Sequence, residues 1–514
     1  MLRSQALMNK FLLNRVVQSR IERVLLGGPT AWVTVLFILI FLKAIMAVDL
    51  VWDSLSYQMP FEALRVGLMT DWQFQRPPPV QDTLKGYYLG SPILADLLRG
   101  WMWKLSGRPE AVNLFAGITL LALAGYLKWA FRQLDIAWVL IGILAIPAVQ
   151  DAAASNYVDL PANATFAIFL LSIVDLWANP EKFKRPAPWI VMFLAAFAAA
   201  NMKMQTGIFV CLALLFIVPP AWRLLRERNA KSLSIAGMAL LGIAASMLVA
   251  VNFIKNLILY RNPFFPVDLT IGPIHFAGTL LHGQWTMPGK MYVDVPQPLL
   301  WLMSVLEFHS LDGRPIPYMN GMGNVAPTSP AAYMGGFFSA LVVASIGFFI
   351  VAVSRRRDRF AVTVTVVFLV STAVVSAYPL SENLRYETFW MMFLVISCLL
   401  LLSRPTFELY LQCYKLVLFS SLVFVVSVTG GIYFKPTWNP MQRFVDRSGA
   451  HQLLRAVVKP GDVICLPQGP GEWDNRFAIM FAPIFHQDLA RERPYAIKEG
   501  FCDGYKTIER GNFQ

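Results

Sequence analysis

The sequence predicts an all-α polytopic membrane protein, and two observations predict it: an apolar composition and a series of apolar runs of membrane-spanning length. Of the 514 residues, 56% are hydrophobic and only 15% are charged, and the mean hydropathy is +0.53. Soluble domains carry about 25% charged residues. The composition therefore excludes an ordinary soluble protein.

Eleven apolar runs approach or reach the roughly 20 residues that a helix needs to cross the bilayer core. The first run starts too far from the N-terminus for a cleaved signal peptide, so we expect it to remain as an anchor. The predicted spans are 30–48, 111–131, 136–150, 161–178, 188–203, 205–221, 232–253, 335–354, 360–379, 388–403 and 416–434.

Basic residues in alternate short loops orient these spans. They precede the first span and recur in every second loop, and the positive-inside rule assigns these segments to the cytoplasm. The loop charges thus predict a cytoplasmic N-terminus and an outer C-terminus. The localisation that we predict is the bacterial inner membrane, with the C-terminus periplasmic. The net charge of +13 then reflects topology, and it needs no nucleic-acid partner. The basic clusters lie at 3–23, 128–132, 182–185, 223–231, 355–359 and 404–415.

Most of the polar, aromatic and Pro/Gly-rich sequence falls on the predicted outer side, in loops 49–110 and 254–334 and in the tail 435–514. The strand-like run "VICL" and the turn signals after it indicate a small α/β structure in this tail. The sequence thus predicts two domains, a transmembrane domain over 1–434 and an outer-face C-terminal domain over 435–514.

The five cysteines separate by predicted compartment. Cys211 and Cys398 fall in spans and Cys413 falls on the cytoplasmic side, so we expect free thiols at all three. Cys465 and Cys502 both lie in the outer tail, where an oxidising compartment would allow them to pair. We predict a disulfide between them.

Six short stretches occur in a fixed order near the predicted outer edges of the spans: "WDSLSYQMPFEALRVG", "GYYLGSPILADLLRGWMWKLSG", "ASNYVDLPANATFAIFLL", "AAANMKMQTGIF", "YRNPFFP" and "ENLRYETF". Over about residues 30–400 this order resembles the GT-C superfamily of membrane glycosyltransferases. The nearest branch includes the protein O-mannosyltransferases and the aminoarabinose transferases.

The resemblance implies an inverting enzyme that moves a sugar from a polyprenyl-phosphate carrier to an acceptor hydroxyl on the outer face. The acceptor would be a glycan, a lipid or a protein. Relatives place a catalytic acid in the first outer loop, and Asp53 matches that position. Many relatives carry a second acid directly after it, where this chain has Ser54. This departure argues against a two-carboxylate or metal-assisted mechanism. No cofactor is firmly predicted, and a divalent metal stays an open alternative.

The chemistry of sugar transfer agrees with Asp53 as the general base, because the acceptor hydroxyl needs a carboxylate within hydrogen-bonding reach. Asp53 could instead be a helix N-cap. Asp49, nearer the first span, is predicted to support Asp53 or bind the acceptor, with a solvated boundary residue as the alternative. Asp159 begins the fourth span, where an acid in relatives helps orient the substrate; Pro161 favours a cap there too.

Cations near outer span ends would stabilise a departing phosphate. Lys203 is an isolated cation between two spans, and its alternative role is a lysine that snorkels to headgroups. Arg385 and Tyr386 form the second candidate, although Arg385 could pair with a neighbouring glutamate. Arg261 could contact a phosphate, but the prolines after it favour a structural turn. "EFHSLDGRP" holds one His and two nearby acids, which is a weak metal pattern.

A transporter, flippase or polymerase of lipid-linked glycans is the alternative function. The sequence has no DxD or Walker motif, which argues against a cytosolic type of transferase. It also shows no internal repeat of the kind on which many transporters are built. Transport would be better supported by acids in the middle of spans, whereas the candidate acids lie at their outer edges.

Overall fold

The computed structural model describes residues 28–51, 53–69, 86–227, 242–279, 295–307, 336–447, 449–457, 459, 463–466, 496–499 and 506–507. These residues are mostly helical. The α-helices are α1 (Pro29–Met46), α2 (Met59–Arg65), α3 (Leu94–Ser106), α4 (Leu114–Ala130), α5 (Ile136–Leu144), α6 (Pro147–Ala152), α7 (Asp159–Ala178), α8 (Pro186–Met202), α9 (Met204–Leu214), α10 (Val218–Glu227), α11 (Gly242–Val249), α12 (Val251–Tyr260), α13 (Gln297–Leu306), α14 (Ser339–Arg355), α15 (Arg359–Ala377), α16 (Thr388–Leu402), α17 (Glu408–Val428), α18 (Met441–Arg447) and α19 (Ala450–Val457).

Six helical segments within the described residues are long and apolar enough to span a membrane. Two bent helix pairs, α9 with α10 at 46° and α11 with α12 at 66°, raise the number to eight if each pair is one span. The chain is therefore a multi-pass integral membrane protein, as predicted, whereas the count of eleven spans stays a prediction. The six segments are Pro29–Met46, Pro109–Ala130, Asp159–Ala178, Arg359–Ala377, Leu384–Leu402 and Pro405–Val428.

The predicted span 136–150 is interrupted rather than continuous. Helix α5 ends at Leu144, and α6 starts at Pro147 after Ile146 takes an extended backbone. Proline has no N–H to donate and disfavours helical geometry in the residue before it. The apolar run hides this break, because hydropathy does not register a lost hydrogen bond. The predicted spans at 188–203 and 335–354 are α8 and α14, each 17 residues long.

Helices α7 and α16 form the centre of the helical body. Nearly every residue of α7 is buried, and α16 is buried along its whole length. A helix that is apolar on all sides is expected in such a position. Helix α7 packs against α4, α8, α15 and α16. At its contact with α16, the rings of Phe166 and Phe389 meet edge to face at 4.6 Å.

The segment after α1 leads directly into a packed helical layer. A π-helical turn, Ser54–Gln58, continues into α2, which packs on α3. The two helices touch at Gly100, where an added Cβ would lie 2.5 Å from the carbonyl oxygen of Glu62. Only glycine allows this close approach. The approach brings the acids and cations of the two helices together.

The strands in the described residues form two small sheets. Strands β1 (Leu269–Ile271) and β2 (Ile274–Phe276) pair antiparallel, with Leu269 opposite Phe276. In the tail, β3 (Val463–Leu466), β4 (Ala496–Glu499) and β5 (Lys506–Thr507) form a parallel sheet in the order β4-β3-β5. The tail therefore contains both helices and strands. Its outer location and its status as a separate domain stay predictions.

The cysteines in the helices agree with the sequence analysis. Cys211, Cys398 and Cys413 are free thiols, as predicted. The predicted partner of Cys465, Cys502, lies outside the described residues. The disulfide between them therefore stays a prediction.

Candidate functional site

A cavity of about 540 Å³ lies where several helix ends and loops meet. The first loop, the start of α7, the junction of α8 with α9 and the segment before α16 all contribute to its wall. Five of the residues singled out in the sequence line it: Asp53, Asp159, Lys203, Arg385 and Tyr386. Residues far apart in the chain thus converge on one site.

Asp53 and Arg385 form an ion pair across the cavity. Arg385 Nη2 donates to Asp53 Oδ2 at 2.9 Å, and the guanidinium lies 4.7 Å from the centre of the Tyr157 ring. Asp53 precedes the π-helical turn but makes no capping hydrogen bond with its side chain. Its contact is with a cation, so the helix-cap alternative is not what the structure shows. The neighbouring-glutamate alternative for Arg385 is not seen either.

Asp159 and Lys203 form a second ion pair. Asp159 is the first residue of α7, and the N-cap position belongs to Val158. Lys203 is extended between α8 and α9, with φ −148°, so its side chain leaves the helical path. The Lys203 Nζ lies 3.6 Å from the centre of the Tyr386 ring. The lysine is thus held by an acid and an aromatic face.

Asn163 links the two ion pairs and was missed in the sequence analysis. One turn into α7, its Nδ2 donates to the Asp159 carbonyl at 2.7 Å and to the Arg385 carbonyl at 3.3 Å. Its Oδ1 accepts from the Phe389 N–H at 3.1 Å. This buried amide fastens the segment that carries Arg385 to the helix that carries Asp159. An asparagine within an apolar span is the signal that could have found it.

Asp49 lies apart from Asp53, against a separate cavity of about 250 Å³ that Lys43 and Asp151 also line. Its Oδ2 accepts from the Asn156 N–H at 2.9 Å and its Oδ1 from the Val51 N–H at 3.2 Å. Burial raises the pKa of this carboxyl, and the two N–H donors oppose that shift. Asp49 therefore supports the turn that leads to Asp159, and it does not face the Asp53 cavity.

Arg261 is not brought to the cavity. It ends α12 in the left-handed region, with φ 56°, and it is exposed. This position agrees with the turn that the prolines after it predict. A phosphate contact by Arg261 therefore stays a prediction without support from the cavity geometry.

No metal site is found in the described part of the chain, where no group of three or more His, Cys, Asp or Glu side chains is placed to hold an ion. Of the candidate cluster in "EFHSLDGRP", Glu307 follows α13. His309 and Asp312 lie outside the described residues. Whether the protein uses a divalent metal is therefore not tested.

Asp96 and Arg99 in the cavity wall belong to a buried charge cluster that the sequence analysis did not identify. Arg99 Nε lies 3.1 Å from Glu62 Oε1, and Arg99 Nη2 lies 3.3 Å from Asp96 Oδ1. Arg99 also donates to the side-chain oxygen of Asn156 at 2.9 Å and to its carbonyl. The spacing of Asp96 and Arg99, one helical turn apart, was a signal, but in an amphipathic helix it suggests a solvated face.

Glu62 should give the protein a measurable pH dependence of stability. Burial raises the pKa of Glu62 from 4.5 to about 8, against the opposing effect of Arg99. A folded-state pKa above the unfolded one adds stability that is complete below about pH 4.5 and is lost as the pH approaches about 8. The melting temperature of the wild type, relative to that of Glu62→Gln, should therefore fall across this window. If the difference in melting temperature between the wild type and Glu62→Gln is the same from pH 5 to about 8, Glu62 is not protonated in the folded protein.

The fold and the site define a class: a multi-pass helical membrane protein with a charged cavity at its helix ends. No protein-family model matches the sequence, and no curated protein matches it significantly. The crystal structure of ArnT from Cupriavidus metallidurans in the apo state is similar, with 14% identity and a TM-score of 0.48, over 88% of this chain and 84% of that chain.

A second crystal structure, of the same ArnT bound to undecaprenyl phosphate, matches with 13% identity and a TM-score of 0.47, over 92% of this chain and 90% of that chain. ArnT is an aminoarabinose transferase of the GT-C superfamily, the branch that the sequence resembles.

Proposed function

We propose that this protein is an inverting glycosyltransferase that moves a sugar from a polyprenyl-phosphate carrier to an acceptor hydroxyl. The observation that carries the proposal is the cavity itself, in which the carboxylate of Asp53 contacts Arg385 and the wall also holds the cation Lys203. A base for an acceptor and cations for a departing phosphate are the two groups that such a transfer requires.

Asp53 is the base in this proposal. Its carboxylate takes the proton of the acceptor hydroxyl as the hydroxyl oxygen forms a bond to the anomeric carbon. The bond from that carbon to the phosphate oxygen breaks at the same time, and the electron pair leaves with the polyprenyl phosphate. Attack from the face opposite the phosphate inverts the anomeric centre.

The leaving phosphate is stabilised by the positive charges in the cavity wall. Arg385 offers a planar guanidinium that can hold two phosphate oxygens, and Lys203 offers a point charge. Helix α9 begins beside them, and its first residues, Met204 and Gln205, line the cavity. The positive end of the helix dipole adds to the field that favours an anion.

The cavity also offers aromatic and apolar surface for the sugar and for the start of the lipid. Tyr57 and Tyr87 stack with their ring centres 6.0 Å apart, and both line the cavity. Apolar lining comes from Phe61, Ile208 and Phe264. Ligand sites commonly combine apolar walls with a few polar groups that fix orientation.

In the proposed setting, the cavity faces the periplasm across the bacterial inner membrane, and the acceptor is a glycan, a lipid or a protein. No cofactor takes part in the steps above. The tail from 435 to 514 lies on the same side. A reporter fusion at about residue 440 tests this orientation, and a cytoplasmic signal there would contradict it.

The test of function is transfer by the purified protein in detergent, where no second compartment exists. Polyprenyl-phosphate-linked hexoses are supplied with an envelope extract as acceptor, and release of polyprenyl phosphate is measured. A transferase releases it in proportion to sugar incorporated into the acceptor. A transporter of lipid-linked glycans would leave the donor intact, and that result would contradict the proposal.

A further inference from the structure

The charged side chains that line the cavity form three pairs of opposite sign. Each of the three cations among the described lining residues already has a carboxylate beside it, so the formal charges of the lining cancel. A phosphate that enters this cavity therefore competes with an acid for a cation. The pairs are Asp53–Arg385, Asp159–Lys203 and Asp96–Arg99.

Arg99 is not placed to exchange a carboxylate partner for a phosphate. Its side chain is 2% exposed and is held by Glu62, Asp96 and Asn156 together. The Lys203 and Asp159 side chains are 11% and 6% exposed. The Arg385 and Asp53 side chains are 25% and 18% exposed, which makes theirs the most accessible of the three pairs.

Arg385 also has N–H donors that do not contact Asp53. It holds Asp53 through Nη2, the nitrogen that also donates to the Tyr386 hydroxyl at 3.2 Å. Its Nε has no acceptor among the described residues. A guanidinium carries five N–H donors in a planar fork that matches two phosphate oxygens. A phosphate could thus replace one contact to Asp53 with two contacts to Arg385.

The geometry of inversion requires the Asp53–Arg385 pair to open. The base and the leaving phosphate act on opposite faces of the sugar, so the sugar must lie between Asp53 and a phosphate on Arg385. In inverting glycosidases the two carboxyl groups that flank the sugar stand roughly 6.5–9.5 Å apart. The pair is 2.9 Å apart, which leaves no room for a sugar. A sugar and its phosphate can therefore lie between the two side chains only if the pair separates.

We propose that the Asp53 carboxylate occupies the donor's phosphate subsite on Arg385, and that the donor phosphodiester displaces it. The inference rests on the proposed function and adds an order of events to it. The displaced carboxylate turns to the acceptor hydroxyl and can then accept its proton. Without donor the base stays paired with Arg385 and does not activate water.

Competition between a carboxylate and a phosphate predicts an unusual result for a catalytic acid. Asp53→Asn removes the competing charge, so it should bind farnesyl phosphate, a short prenyl phosphate, about tenfold more tightly than the wild type. Asp53→Ala should also bind it more tightly. Asp53→Glu keeps the charge and should bind like the wild type, whereas Arg385→Gln should lose most of the affinity.

The measurement is a titration in detergent, followed by tryptophan fluorescence, with variants that elute as a single species by size exclusion. Asp175→Asn is the matched control, because it removes the acid beside Lys182, at 2.8 Å, away from the cavity. Its affinity should not change. Equal or weaker binding by both neutral Asp53 variants would overturn the exchange but leave the proposed function standing. No binding of prenyl phosphate by the wild type or any variant would overturn both.

Discussion

Asp53→Asn should lower the rate of sugar transfer by about a hundredfold or more, while the protein still inserts and binds its donor. The amide keeps the size of the side chain but cannot accept the proton of the acceptor hydroxyl. Because Asp53 makes no capping hydrogen bond, the substitution removes no helix cap. The rate is measured as single-turnover release of polyprenyl phosphate at saturating donor. A change in affinity for the donor then does not alter the measured rate.

Asp49→Asn is the matched control for this prediction. Asp49 holds two backbone N–H groups and faces a different cavity. Asparagine keeps one acceptor oxygen, so transfer should fall by much less than in Asp53→Asn. Near-normal turnover in Asp53→Asn would instead move the role of the base to Asp159 or to a residue of the second long loop.

The helices were predictable from the sequence because every membrane-spanning helix must meet the same physical requirements. An apolar run must be long enough to cross lipid, and the backbone inside it must be hydrogen-bonded within the segment. The interruptions were harder to predict. The break before Pro147 and the extended Lys203 lie within or between apolar runs, where the average hydropathy hides a change in the path of a few residues.

The members of the site were predictable, but their pairing was not. Asp53, Asp159, Lys203 and Arg385 each stood out as a charge near an apolar run, which is costly without a use. That Asp53 meets Arg385 could not be foreseen, since 332 residues separate them. Such a contact depends on how distant segments pack together, and a single sequence does not show that packing.

The buried charge cluster around Arg99 could not be predicted, because its residues look ordinary in the sequence. Glu62 and Arg99 sit in amphipathic segments where charges are normally solvated. Gly100 lets the two segments approach until both side chains are buried. A glycine next to an arginine in the sequence does not predict this contact. The structure places both charges inside the protein.

Arg99→Met should destabilise the protein by about 3–5 kcal/mol, the usual cost of removing one partner from a buried ion pair. Methionine fills much of the volume but leaves the Glu62 and Asp96 carboxyls buried without a cation. Lys184→Met is the control, since Lys184 and its partner Glu181 are exposed. That change should cost about 0–1 kcal/mol. Both are measured by unfolding of the purified protein in detergent.

The pH dependence of the Arg99→Met loss separates lost charge from lost packing. An acid that is buried without a cation protonates, and protonation costs more free energy as the pH rises. The loss should therefore be larger at about pH 9 than at about pH 6, since burial already raises the pKa of Glu62 to about 8. Adding Glu62→Gln and Asp96→Asn should recover part of the stability and flatten this dependence. A loss as small as that of Lys184→Met, or one that is the same at both pH values, would mean that Arg99 does not neutralise buried charge.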